Sequence, residues 1–150
     1  MFFVRGNVYR ARLDKCNDCP FFVHSTKSCG TLVVGNRIEL KIGDSDEYEE
    51  IQLCGCVMPI KAKFAFFGCP ARKWLAEIDY EQYTTLKEFI ANVRKSKQLE
   101  SADLQYLYSI MDMLVGVRVE RTTCSSCITK WIREIEDTIV KYESDDTNIR

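Results

Sequence analysis

The chain has little histidine, little proline and almost no net charge. Its only histidine, His24, lies in no motif that would give it a proton-transfer partner, and no Ser/His/Asp set can be drawn. No glycine-rich loop is placed to cradle a phosphate, and no carboxylates are paired for acid–base work. With 21 Lys and Arg against 22 Asp and Glu, the chain lacks the basic excess that nonspecific phosphate binding exploits. Counting by halves alters this little: residues 1–78 carry 11 basic and 9 acidic side chains, and residues 79–150 carry 10 and 13. Nucleic acid is therefore a less favoured partner than protein. No run approaches the roughly 18 apolar residues of a transmembrane helix, so no membrane partner is expected. The apolar opening at residues 1–4 is too short for a secretory h-region, and a reducing compartment is expected. An apolar fraction of 46% suffices for a real core and argues against disorder.

Cysteine is what the chain does have. Eight of them fall as Cys16-x-x-Cys19, Cys29, Cys54-Gly55-Cys56, Cys69 and Cys124-x-x-Cys127. Thiolates two or three residues apart grip a tetrahedral metal ion, and reduced surroundings favour ligation over a disulfide framework. Zn2+ is the expected cofactor. Cys16-Asn17-Asp18-Cys19-Pro20 has polar turn residues between its thiols, while the glycine of Cys54-Gly55-Cys56 allows a sharp turn. A zinc ribbon would use Cys16 and Cys19 with two of Cys54, Cys56 and Cys69. Cys29 and one member of the Cys54/Cys56 pair are left as buried apolar thiols, or a shared thiolate bridges two ions. Cys124 and Cys127 would complete a second four-thiol set. His24 reads as an ordinary loop histidine before it reads as a ligand.

The character of the sequence changes between residues 74 and 80, which sets an expected boundary at residue 78. Before it, residues 3–4 and 8–13 read as short strands. Residues 32–34, Gly35-Asn36 and residues 37–42 read as a hairpin in which Ile38, Leu40 and Ile42 alternate with polar neighbours. Residues 43–47 read as an acidic surface loop, residues 48–53 as a strand and residues 62–67 as another. After the boundary the period becomes helical. Tyr83, Leu86, Phe89, Ile90 and Val93 share a face behind a capping box at Thr85-x-x-Glu88. Ser101 is placed to cap a second helix carrying Leu104, Leu107, Tyr108, Met111, Leu114 and Val115. Thr123 is placed to cap a third, carrying Ile128, Trp131, Ile132, Ile135, Ile139 and Val140, with a polar tail from Asp145. The predicted fold is α+β: a β-rich, zinc-ribbon-like domain over residues 1–78 and a three-helix domain over residues 79–150.

The order Cys16-x-x-Cys19-Pro20, Cys29, Leu53-Cys54-Gly55-Cys56-Val57-Met58, Lys61-Ala62 and Cys69-Pro70-x-x-Lys73-Trp74 resembles a cysteine-rich pattern in small proteins of tailed bacteriophages, the crAss-like phages of Bacteroidota. The likeness covers roughly residues 10–75. A weaker one follows through Leu86-x-x-Phe89-Ile90, Leu104-x-x-Leu107-Tyr108 and Cys124-Ser125-Ser126-Cys127. The resemblance implies zinc and a phage setting, in the virion or the host cytoplasm, and carries no catalytic residues. An acidic insert at residues 41–50 departs from the pattern.

Three functions remain. The leading one is a non-enzymatic structural or assembly protein, with the virion neck or head–tail connection as its candidate place, other virion proteins as partners and a homo-oligomeric state. It takes support from the missing catalytic set and from Phe64, Phe66 and Phe67, of which alternation sets Phe67 opposite the other two and which a small ribbon cannot wholly hide. The second is a nucleic-acid-binding zinc ribbon using Lys61, Lys63, Arg72 and Lys73. The third is a thiol oxidoreductase in which Cys124 and Cys127, at a helix N-terminus, have a lowered thiol pKa. Against it, no strand precedes them and no proline follows Pro70, and beside Ile128 and Trp131 the two thiols read first as structural, by packing or metal binding, and next as a reversible disulfide. Tyr106, Tyr108 and Trp131 read as core and contact aromatics, and Glu134-x-Glu136-Asp137 as a solvated helix face.

Overall fold

The computed structural model describes residues 2–41, 46–96 and 98–147, and within them the chain is a mixed α+β protein. The order is α1 (Gly6–Asn17), β1 (Phe22–Val23), β2 (Ser28–Cys29), β3 (Arg37–Lys41), β4 (Tyr48–Gln52), α2 (Met58–Lys61), α3 (Tyr80–Lys95), α4 (Ser101–Val115) and α5 (Ser125–Thr147). The four strands form two separate antiparallel pairs, β1 with β2 and β3 with β4.

The first departure from the sequence reading is at residues 8–13, which are helical rather than extended. Six residues of apolar–polar alternation are also compatible with a helical face, and here Tyr9, Leu13 and Cys16, spaced by four and three, decide it: all three join one buried cluster. Arg12, on the same helix, is buried. Its guanidinium donates to the carbonyls of Phe64 at 2.8 Å, Ala62 at 3.3 Å and Leu75 at 3.4 Å, and lies over the Trp74 ring.

The second departure concerns the hairpin. β3 pairs not with residues 32–34 but with β4, in the register Ile38 opposite Ile51 and Leu40 opposite Glu49. Asn36 is no turn residue, because its carbonyl accepts the Leu53 N–H at 3.0 Å and so prolongs the β3–β4 ladder. The expected alternation of Ile38 and Leu40 holds, whereas Ile42 and most of the acidic loop lie outside the described residues. Residues 62–67 likewise form no strand. α2 precedes them, Pro59 taking one of its first positions, where a missing N–H costs nothing. Only Phe64 makes a single bridge, to Phe3. With no strand there is no alternation, and Phe64, Phe66 and Phe67 cluster together with centroids 4.6–5.7 Å apart.

The helices after residue 78 bury the expected stripes, Leu86, Phe89 and Ile90 on α3 and Leu107, Tyr108, Met111, Leu114 and Val115 on α4. Their caps differ. α3 starts at Asp79, whose carboxylate accepts the Gln82 N–H at 2.8 Å while Gln82 Oε1 accepts the Asp79 N–H at 2.9 Å. Thr85 is interior, its hydroxyl turned to the Glu81 carbonyl. Glu100 rather than Ser101 precedes α4, and Cys124 rather than Thr123 precedes α5. Helical hydrogen bonding carries α5 through Asp145 to Thr147 instead of stopping at a frayed tail. Val140 is exposed, and Thr138 takes the buried position beside Ile139.

Two buried clusters result. One gathers Cys16, Cys29, Leu53, Met58, Ala62, Cys69, Ala71 and Trp74. The other gathers residues of α3, α4 and α5 around Trp131 and Ile135. A seam joins the segments that carry them: the Ala76 N–H donates to the Leu114 carbonyl at 2.8 Å, and Gly68 sits so close that a Cβ there would lie 1.8 Å from the same oxygen.

Candidate metal centre

Cys16 lies in the last turn of α1, and the chain then turns, the Cys19 N–H donating to the Cys16 carbonyl at 3.0 Å and the Phe22 N–H to the Cys19 carbonyl at 3.1 Å. The two-residue strands β1 and β2 then bring back Cys29 opposite Phe22. The far edge of β2 is taken by the second cysteine group: the Cys29 N–H donates to the Cys56 carbonyl at 3.1 Å and the Gly55 N–H to the Cys29 carbonyl at 2.9 Å. Gly55 has φ +63 with backbone atoms under 3 Å from where a Cβ would stand, so this close crossing requires glycine. Cys69 arrives on a tight turn closed by the Arg72 N–H at 2.9 Å from its carbonyl.

These segments converge. Cys16, Cys19, Cys29 and Cys69 line one small cavity of about 10 Å³ with Phe22, Met58, Lys73 and Trp74. Cys54 lies beside it, within hydrogen-bonding and electrostatic reach of Cys29, whereas Cys56 is exposed. His24 is exposed too, its ring edge-on to Phe22. Among the described residues, no group of three or more His, Cys, Asp and Glu side chains could hold a metal ion as the side chains stand.

The thiols tune one another. Burial, then the neighbouring Cys69, Cys19 and Cys54, push Cys16 up to about 12. The hydrogen bond with Cys54, then burial, raises Cys29, and the same bond, helped by the ammonium of Lys61, holds Cys54 below the ordinary thiol range. Burial raises Cys69 against the opposing pull of the Lys73 and Ala71 N–H groups, and burial raises Cys56. Lys61, 5% exposed, lowers all but Cys29 of these five and is the buried cation beside them, while the exposed Lys73 lines the cavity. Trp74, on the cavity wall, leaves its buried Nε1–H without an acceptor.

The sequence missed a second buried polar feature. Arg72, at φ +57, sends its guanidinium inward to meet Glu49 in two 2.6 Å hydrogen bonds, over the ring of Trp131 at 5.5 Å. Both side chains are at most 5% exposed. Glu134 of α5 stands 3.5 Å from Arg72 Nε, and burial raises its carboxyl although Arg72 pulls the other way. Glu134 is thus no solvated surface residue, unlike Asp137. The burial of Lys61 and Arg72 also dismantles the supposed basic patch, leaving only Lys63 and Lys73 exposed. No sequence signal marked Arg72 as inward, since its direction depends on Glu49 twenty-three residues away.

Among the described residues no helix is long and apolar enough to cross a membrane. No family model, curated protein or solved structure matches the chain.

Proposed function

We propose that the chain is a non-enzymatic, zinc-stapled protein that works through protein–protein contacts, in keeping with the phage assembly role its cysteine pattern implies. One observation carries the reading: four thiols from three separate segments line one small cavity. Cys16, Cys19, Cys29 and Cys69 are the ligands, reached by side-chain rotation about a ribbon-like β1–β2 turn, with Cys54 as their hydrogen-bonding neighbour. Tetrahedral thiolate ligation suits zinc, and the Lys61 ammonium and the unpaired Trp74 N–H suit a ligand set that carries net negative charge. The ion is structural, because four thiolates leave no open position for water or substrate.

The contact surface is the phenylalanine patch. Phe2, Phe3, Phe66 and Phe67 are 75, 57, 48 and 36% exposed, and with Phe64 they form one continuous set of ring contacts. Exposed aromatic clusters of this kind are held for partners; here the partner is another virion protein or a second copy of the chain. Native mass spectrometry of protein purified without chelator reports both halves of the proposal. We expect one zinc per chain and an oligomer or virion-component complex that Phe66→Asp dissolves without releasing the ion. Protein without zinc, its thiols free and the fold intact, would remove the staple; a monomer that binds no virion component would remove the contact role.

A further inference from the structure

Cys124 and Cys127 take no part in the thiol cavity and stand at the head of α5. The Cys124 carbonyl accepts the Ile128 N–H at 3.0 Å, the first hydrogen bond of the helix, so Cys124 occupies the cap position. Thr122 Oγ1 fixes it there by accepting the Cys124 N–H at 3.0 Å. From the cap, Cys124 Sγ turns back over the first turn, 3.1 Å from the Ser126 hydroxyl and 3.5 Å from the Cys127 N–H that it accepts. Cys124 remains partly exposed, whereas Cys127 is only 5% exposed. One sulfur is open to a reactant from solvent; the other is open mainly to the first.

We propose that Cys124 and Cys127 form a reversible redox pair, with Cys124 as the attacking thiol, Cys127 as the resolving thiol and a low-molecular-weight disulfide as co-reactant. The site is a modification site and lies beyond the metal and contact roles above. In the first step the Cys124 thiolate attacks one sulfur of the small disulfide. The new bond joins Cys124 to that half, the old S–S bond breaks, and the other half leaves as a thiolate. In the second step Cys127 loses its proton and attacks Cys124 Sγ, expelling the remaining half. Two electrons pass from the protein dithiol to the small disulfide, and the two thiol protons end on the two small thiols released.

The electrostatics divide the roles in the same way. Hydrogen bonds from the Cys127 thiol, first, and from the Cys127 N–H hold Cys124 below the ordinary thiol range. Burial, then the contact with Cys124, pushes Cys127 up to about 12. The charged groups facing the pair are Glu47, 3.8 Å from Cys124 Sγ and hydrogen-bonded to Ser126, and Glu49, which faces Cys127. Glu47 opposes the thiolate at both sulfurs and Glu49 at Cys127, and the hydrogen bonds still hold Cys124 low.

Trypsin isolates the site, because residues 122–130 lie between Arg121 and Lys130 and contain Cys124 and Cys127 with no other cysteine. The full chain, purified with zinc, is equilibrated with oxidised glutathione, quenched with iodoacetamide and digested. We expect this peptide to arrive unalkylated and lighter by two hydrogens. Cys127→Ser is expected to accumulate one glutathione on Cys124, and Cys124→Ser to leave Cys127 free for alkylation. A wild-type peptide that stays doubly alkylated at equilibrium overturns the proposal. So does Cys127 of Cys124→Ser taking up glutathione as readily as Cys124 of Cys127→Ser. The readout is confined to one peptide, so loss of zinc from the other thiols does not imitate either result.

Discussion

The two buried clusters reach order by different means. Around Trp131 lie thirteen buried residues none smaller than valine, twelve from three helices of 15 to 23 residues and Val119 from the connection between α4 and α5. Each large side chain so buried contributes about 1.5–3 kcal/mol. Around Trp74 only eight residues are buried, and five of them are cysteine or alanine. The elements that carry them include two strands of two residues each, far below what holds a hairpin together alone. Apolar burial is greater in the first region than in the second, where cross-linking polar groups add to it. Arg12 ties three carbonyls from two later segments, and the thiols gather what remains.

The largest way to break this comparison is to remove the proposed zinc. A structural zinc supplies on the order of 10 kcal/mol of folding free energy. Amide exchange after chelation is expected to become fast over residues 6–74 and to stay slow in α4 and α5; equal loss in both would mean one cooperative core. The same titration run at several pH values should show apparent affinity rising with pH. Cys16, lifted to about 12, and the raised Cys69 are protonated near neutrality without the ion, so binding expels their protons and acid competes with it. Next in size, Trp131→Ala should cost about 3–5 kcal/mol by leaving a void among residues that cannot collapse, read by urea denaturation. Its effect on zinc content should be small if the staple is independent. Smallest, Asp79→Ala removes the cap of α3 and should cost about 1 kcal/mol, seen as a lower urea midpoint with unchanged zinc.

The same contrast governs how much could be read from the sequence. The faces of α3 and α4 were legible because large apolar residues at helical spacing have one use, and their burial follows from it. Their caps were misread since several Ser, Thr and Asp residues compete near each start, and only the reciprocal Asp79–Gln82 geometry decides. In the N-terminal region, residues 8–13 alternate and also place Tyr9 and Leu13 on a helical face, so local pattern could not choose. The tertiary cluster chose. The pairing of Cys16 with Cys19 follows a spacing visible in the sequence, but the choice of Cys69 over Cys54 and Cys56 and the inclusion of Cys29 do not, since Cys29 reaches the cavity only through the β1–β2 return. The inward Arg72 left no local trace at all, because a buried ion pair is defined by its distant partner.

Gly68 and its neighbours have a bearing on the order in which the chain can be assembled during synthesis. The Leu114 carbonyl that meets the Ala76 N–H, and the Gly116 turn at φ +75 that closes against Gly68, are made more than forty residues later. When Cys69 leaves the ribosome, the surface its turn must lean on does not yet exist. The cysteine-bearing segments are therefore left with an open flank until α4 emerges, and an ion captured early would hold them in register through that interval.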